Sequence, residues 1–268
     1  MNEAQPLYEI RNLCRTFYAN SNLPWKQPRI IAKALEEVNL QVMAGEILGL
    51  AGESGSGKTT LAEVLAGLQS PTSGTVHYDG RDMSSLTGND WKRFRHDVQM
   101  IFQDPYESLN PRHTTLRSIS EPLINAGIRQ QDELVARATE ALTLAGLQPA
   151  EAFLHTYPHQ LSGGQRQRIS IARAIILKPR VLIADEPVSM LDVSLRAGIL
   201  KLLRRLRETL GLTILYISHD LGTMSYVCDR IAVLHLGHLK EVGPVEEIFS
   251  SPRDPYTKEL LAAIPSLT

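Results

Sequence analysis

Eight residues, Gly52-Glu-Ser-Gly-Ser-Gly57-Lys58-Thr59, have types and spacing suited to holding phosphate. They satisfy G-x-x-x-x-G-K-[ST] in full and lie between an apolar run and a helical pattern, the context that motif requires. Glycines let the backbone curl until successive N–H groups converge on phosphate oxygens, and the helix N-terminus that follows adds a favourable dipole. Lys58 supplies a point charge for the β- and γ-phosphates, and the Thr59 hydroxyl can ligate Mg²⁺. A dinucleotide reading fails at one residue, because Gly55-x-Gly57 would need glycine at position 60, where Thr60 stands. A nucleoside triphosphate site is expected.

Val181-Leu-Ile-Ala184 runs into Asp185-Glu186-Pro187, which puts two carboxylates at the C-terminal end of a buried strand. Ligands of open α/β sheets sit at that edge. Asp185 is placed to hold Mg²⁺ through water, and Glu186 to orient or deprotonate the attacking water. His219 follows the apolar run Thr213–Ile217 through Ser218 and should emerge at the same edge as a γ-phosphate contact. Far from the first loop, Leu161-Ser162-Gly163-Gly164-Gln165 opens another helical segment, and a serine, two glycines and a helix N-terminus make a second phosphate-binding surface. One chain with one phosphate loop has no need of two such surfaces for one nucleotide. The arrangement makes sense if each chain's second surface caps the nucleotide of its partner.

The elements that must position these groups follow from periodicity. Leu7–Val42 alternates apolar and polar residues in two pieces split by 20–28, which predicts an antiparallel edge sheet with a loop excursion. Glu46–Ala51 reads as a short buried strand, and Thr59–Leu68 as a helix with Leu61, Val64, Leu65 and Leu68 on adjoining turns. Between Asp104 and Pro158 the chain reads as a mainly helical insertion, broken by Pro105, Pro111 and Pro122 and carrying an amphipathic helix over Gln131–Ala145. Gly164–Leu177 is a further helix closed by Lys178-Pro179, and Val181–Ala184 a strand. Leu195, Ile199, Leu202, Leu203, Leu206 and Leu210 form one stripe ending at Gly211, with Arg204, Arg205 and Arg207 as a solvated face. Thr213–Ile217 is the next strand, and Arg230–Val242 a hairpin turning at Gly237. Strands alternating with helices argue for a parallel sheet covered on both faces.

Bulk properties set the class. The chain has 268 residues, 43% hydrophobic and 21% charged, ordinary for a soluble globular protein with a real core. A net charge of -1 gives no bulk pull toward nucleic acid or anionic lipid. Cys14 and Cys228 are too few and too far apart for a disulfide framework or a zinc site, and suggest a reducing compartment. No secretory signal is read at the N-terminus, and no apolar run is long enough to cross a bilayer. Any membrane role is therefore expected to come through a partner.

Taken in order, these motifs resemble those of the ATP-binding-cassette (ABC) ATPases, and the likeness spans nearly the whole chain. Gly52–Thr59 looks like the Walker A loop, Gln103 in Met100-Ile-Phe-Gln103-Asp104 like the Q-loop glutamine, and Leu161–Gln165 like the signature. Val181–Glu186 looks like the Walker B strand with its catalytic glutamate, Ser189–Asp192 like the D-loop, and His219 like the switch histidine. The resemblance implies an α/β P-loop fold with a RecA-like parallel-sheet core, an antiparallel β subdomain and an α-helical signature subdomain. It divides the chain into core and antiparallel β (7–104 and 171–242), helical part (105–170) and tail (243–268). It implies catalysis by Glu186, His219 and Gln103, with Mg²⁺ held by Thr59, Gln103 and Asp185. ATP contact is implied for Gly52, Ser54, Gly55, Ser56, Gly57, Lys58, Thr59 and Thr60, and for Ser162, Gly163, Gly164, Gln165 and Asp192. The adenine-stacking aromatic falls at Phe17, with Tyr18 next to it. Two ATP molecules would close a dimer of cassettes, and Gln103 would relay that state to a permease.

Two stretches narrow the subfamily. Gln103–Arg112 and Asp254–Pro265 resemble the ATPases of oligopeptide and dipeptide importers, a group that also serves nickel, and Asn110-Pro111-Arg112 resembles the second ATPase of the usual unlike pair. The chain departs from that group in Asp254 where histidine is common, in Met190 where the D-loop often has alanine, and in lacking the cysteines of an iron–sulfur tail, so no such cluster is expected. The implied partners are a second cassette, copy or paralogue, two transmembrane permease subunits and, indirectly, an extracytoplasmic solute-binding protein, with no nucleic acid. The implied place is the cytoplasmic face of the inner membrane, as a peripheral subunit. Peptide leads as cargo, with nickel or metallophore, opine and oligosaccharide open. An exporter or lipid-extraction ATPase and a nucleic-acid- or ribosome-acting one are the competing readings.

Overall fold

The computed structural model describes residues 5–19, 30–104 and 109–263; the loop expected over 20–28, the stretch 105–108 and the terminal 264–268 lie outside the described residues. The chain forms two compact units, Met1–Trp91 with Leu215–Thr268, and Lys92–Ile214.

The first unit holds two sheets. Strands β1 (Pro6–Tyr18) and β2 (Ile30–Met43) pair antiparallel as the alternation predicts, and with β4 (Ser73–Tyr78) and β5 (Arg81–Asp82) they make a sheet of order β2-β1-β4-β5. In the second sheet β3 (Ile47–Ala51) lies parallel to β9 (Arg230–His235), which turns at Gly237 into the antiparallel β10 (His238–Pro244). Asp229 ties the starts of β3 and β9 together: its carboxylate accepts the Ile47 N–H and its own N–H donates to the Ile47 carbonyl, both at 2.8 Å. Next to it the Glu46 carboxylate accepts the Met43 N–H at 2.7 Å and the Arg230 guanidinium at 3.1 and 3.2 Å. Every residue of β3 is buried, so both faces of this strand are covered.

Helix α1 runs over Lys58–Leu65 rather than to Leu68, and α2 follows later over Gly88–Asp97. Gly67 takes φ +69° and the Leu68 N–H turns back to the Glu63 carbonyl, an αL stop that frees Leu68 from the stripe and leaves it 59% exposed.

In the second unit β6 (Val98–Ile101) lies parallel to β7 (Val181–Asp185), whose residues are all buried. Around them pack α3 (Thr115–Asn125), α4 (Gln131–Leu144) and α5 (Gly163–Ile175). Pro122 does not break the chain here: it sits inside α3, near its end, where buried Ile119 and Leu123 hold the helix and the Ala126 N–H still bonds the Pro122 carbonyl. Helix α5 starts one residue earlier than its glycine pattern suggested and ends at Ile175, because Ser162 caps it and Lys178 takes φ +53° before Pro179. In α6 (Val193–Leu210) the stripe Ile199, Leu202, Leu203 and Leu206 is buried as expected, whereas Leu195 is exposed and reaches back toward Gly164 at the start of α5. Arg205 is exposed as expected, and its guanidinium donates to the Leu144 carbonyl while Arg168 donates to that of Ala145 at 2.7 Å; both cations lie at the C-terminal end of α4, where the helix dipole favours them. Gly211 ends α6 at φ +65°.

Strand β8 (Thr213–Ile217) leads the chain back from the second unit, where the Thr213 N–H bonds the Arg180 carbonyl, into the first, where the Ser218 N–H bonds that of Leu50.

Candidate nucleotide site

In the first unit β3 delivers the chain to Gly52, and the loop 52–57 curls into α1. Two of its glycines are obligatory. Gly52 (φ +144°) lies against the Leu234 carbonyl and Gly57 (φ +105°) against that of Ala34, so any β-carbon would overlap backbone at either place. The hairpin closes the same loop from another side, with the Gly237 N–H donating to the Ser56 carbonyl at 3.0 Å. Inside the curl Lys58, only 6% exposed, donates to the carbonyls of Gly52 and Glu53, both at 2.7 Å, and approaches the Ser56 hydroxyl at 3.4 Å. The loop's own carbonyls thus fix the ammonium inside the curl. Ser54, Gly55 and Thr59 are exposed, and Thr60 and Gly57 partly so, around that ammonium.

Phe17 and Tyr18 end β1. Phe17 is half-buried, with the Arg15 guanidinium 4.8 Å from its ring centroid; Arg15 is held in turn by Gln69 and the Ser70 carbonyl, both at 2.9 Å. Tyr18 is 45% exposed. Of the two, Phe17 is the one seen with a cation over its ring, and Arg15 was not among the residues singled out from the sequence. His219, exposed after the buried Ser218, stands just beyond β8 and before Asp220, whose carboxylate caps α7 (Leu221–Val227).

In the second unit the structure brings Gln103, Asp185 and Glu186 to the ends of β6 and β7. Asp185 is 5% exposed, and Glu186 follows it at φ +44°, an unusual backbone for a residue with a side chain. That conformation is held by Ser189, whose N–H and hydroxyl both donate to the Glu186 carbonyl, at 3.2 and 3.0 Å. The amide of Gln103 donates to Glu186 Oε2 at 3.1 Å. The two residues expected to share the catalytic work are thus in direct contact.

The glycine pair lies at the head of α5. Ser162 Oγ accepts the Gln165 N–H at 3.3 Å while Gln165 Oε1 accepts the Ser162 N–H at 2.9 Å, a reciprocal capping box. Ser162 Oγ and Gln165 Oε1 therefore both act as acceptors in capping the helix, and the first N–H groups of α5 are those at Gly163 and Gly164. Asp192 caps α6 through its backbone, and its carboxylate makes no capping bond.

The Asp185 carboxylate and the Gln103 amide carbonyl in the second unit, and the Thr59 hydroxyl in the first, are each hard oxygen donors of the kind Mg²⁺ prefers.

Comparison with known proteins gives the family and the fold. The family model described as ABC transporter matches residues 35–189. The chain is 44% identical over 261 residues to a Brucella ovis protein provisionally named a peptide import ATP-binding protein, covering 97% of this chain and 79% of that one. It is 43% identical over 261 residues to the oligopeptide transport ATP-binding protein OppF of Escherichia coli, covering 97% and 78%. Among solved structures, the dimeric post-hydrolysis state of the ATP-binding cassette MJ0796 bound to ADP and Pi matches with TM-score 0.76 and 32% identity, covering 89% of this chain and 98% of that one. The two kinds of sheet and their helices are those of that cassette fold.

Proposed function

We propose that this chain, which belongs to the ABC transporter family and is an ATP-binding, ATP-hydrolysing cassette, powers the uptake of peptides or a related small solute through a separate permease. The observation that carries the importer reading is identity of 43–44% over 97% of the chain to proteins named for peptide import and oligopeptide transport.

The residues divide the chemistry among themselves. The curled loop offers its N–H groups to the phosphates, and Lys58, held in the curl by two carbonyls, brings its charge to the β- and γ-phosphates. Phe17 offers the base a flat face. Thr59, Asp185 and Gln103 would hold Mg²⁺, which supplies charge neutralisation to the phosphate oxygens. Glu186 accepts the proton of the attacking water, and Gln103 holds that carboxylate in place through its amide N–H. His219 serves as a γ-phosphate contact, while Ser162–Gln165 and Asp192 face the nucleotide of a second cassette. Two ATP molecules then bias a pair of cassettes toward closure, and hydrolysis releases that bias.

The reading places the chain at the cytoplasmic face of the inner membrane with a second cassette, two permease subunits and an extracytoplasmic solute-binding protein. No helix among the described residues is long and apolar enough to cross a membrane. The test is affinity purification from native membranes in mild detergent, with mass-spectrometric identification of what accompanies the chain. Two multi-span permeases and a second cassette are expected; recovery of ribosomes, nucleic acid or soluble proteins alone would overturn the proposal.

A further inference from the structure

A contact absent from the chemistry above joins the chain's tail to the phosphate loop. Helix α9 (Pro255–Ala262), which follows the short α8 (Val245–Ser250), is started by Asp254, whose carboxylate accepts the Tyr256 N–H at 2.8 Å, with Pro255 at a first-turn position that needs no donor. One carboxylate of β10 pins this start: Glu241 accepts the N–H of Arg253 at 2.9 Å and that of Asp254 at 3.1 Å. Thr257 beneath is 1% exposed. Tyr256 is therefore not a surface side chain free to swing. Its ring lies on that of His235 at the end of β9, with centroids 3.8 Å apart and planes at 34°, and its phenol oxygen accepts the N–H of Glu53 at 3.4 Å.

Glu53 is the second residue of the phosphate loop, and its carbonyl is one of the two that hold Lys58, at 2.7 Å; the same carbonyl also accepts the Ser56 N–H at 3.2 Å. The tail thus grips one side of residue 53 while the lysine leans on the other. The backbone around Gly52-Glu53 has wide conformational freedom, since Gly52 occupies a region closed to residues with a β-carbon. A fixed acceptor for the Glu53 N–H removes part of that freedom before ATP arrives.

We propose that Tyr256 is a positioning residue for ATP, acting through the Glu53 peptide to set the Lys58 ammonium. The proposal rests on the nucleotide-site reading above. Because Lys58 meets the phosphates in ground state and transition state alike, loss of the phenol should weaken binding and leave the chemical step nearly intact.

The test compares the purified chain with its Tyr256→Phe and Lys58→Ala variants, using ATP itself as the probe. Tyr256→Phe keeps the ring on His235 and removes only the acceptor. A hydrogen bond of this length should be worth a rise of about two- to fivefold in KM and in the ATP dissociation constant, with kcat within about twofold. The melting temperature should not move, and the backbone amide resonance of Glu53 should shift in the ligand-free variant. An unshifted Glu53 amide with unchanged ATP affinity, against a Lys58→Ala variant that no longer binds, would overturn the role of Tyr256 and leave the nucleotide site standing. A lowered melting temperature with equal losses in KM and kcat would reduce Tyr256 to a structural residue and also overturn it. Failure of the parent chain to bind ATP would instead sink the nucleotide reading, and this role with it.

Discussion

Replacing Glu186 with glutamine should separate the chemical step from nucleotide binding. The substitution is close to isosteric, and the structure shows what it leaves alone. The backbone at φ +44° is held by Ser189 through the Glu186 carbonyl, a contact indifferent to the side chain. The new amide oxygen can still accept the Gln103 N–H now bonded at 3.1 Å, so that exposed donor keeps its partner and the chain should fold normally. What disappears is the ability to accept a proton from water. A positioned general base contributes on the order of 10²–10⁴ in rate, or about 3 to 5.5 kcal/mol of barrier. Phosphate release at saturating ATP should fall by that factor. The ATP dissociation constant, which depends on Lys58 and the loop, should stay within about twofold of the parent. A loss of turnover under tenfold would show that Glu186 is not the base. A parallel loss of ATP binding would show that its carboxylate shapes the site instead.

Other expectations concern the scaffold. Glu46→Ala leaves the Met43 N–H and the Arg230 guanidinium without their shared acceptor, and because Arg230 is partly open to water the loss should be about 2 kcal/mol, read as a lowered urea midpoint. Leu203→Ala empties a fully buried position of α6 and should cost about 2–5 kcal/mol by the same assay. Burial works to raise the Glu241 carboxyl, but the N–H donors of Arg253 and Asp254 overcome it and hold the group below its ordinary value of 4.5. Because its folded value is depressed, its support for the tail is present above about pH 4.5 and lost as pH falls through the folded value. Hydrogen exchange at the amides of Arg253 and Asp254 should accelerate over that acid window, and Glu241→Gln should abolish the pH dependence.

The parts legible from the sequence are those written in consecutive residues. The runs of β3, β7 and β8 are uniformly buried and read as unbroken apolar stretches; the phosphate loop is a local pattern between a strand and a helix; Gly211 and Gly237 stop their elements where the pattern said they would. Element ends set by backbone chemistry were harder, as with Leu68, where Gly67 turns the chain before the apolar stripe has finished. Pro122 misled because a proline near the end of a helix held by buried neighbours costs less than one in its middle. Least legible were contacts across long separations. Glu46 finds Arg230 at 184 residues' distance, and Glu53 meets Tyr256 at 203; nothing local to either member announces the other. The Asp254-Pro-Tyr256-Thr257 stretch stood out as a motif, but which surface it would dock on is a property of the folded β9–β10 hairpin.

The bond between Tyr256 and Glu53 has an evolutionary corollary. It uses the peptide N–H of residue 53, and the lysine uses that residue's C=O, so the carboxylate of Glu53 takes part in neither. Position 53 can drift through most side chains without disturbing the link, proline alone being barred for want of a donor. Correlated substitutions between 53 and 256 should therefore be missing from descendants of this chain, however tightly the two are joined.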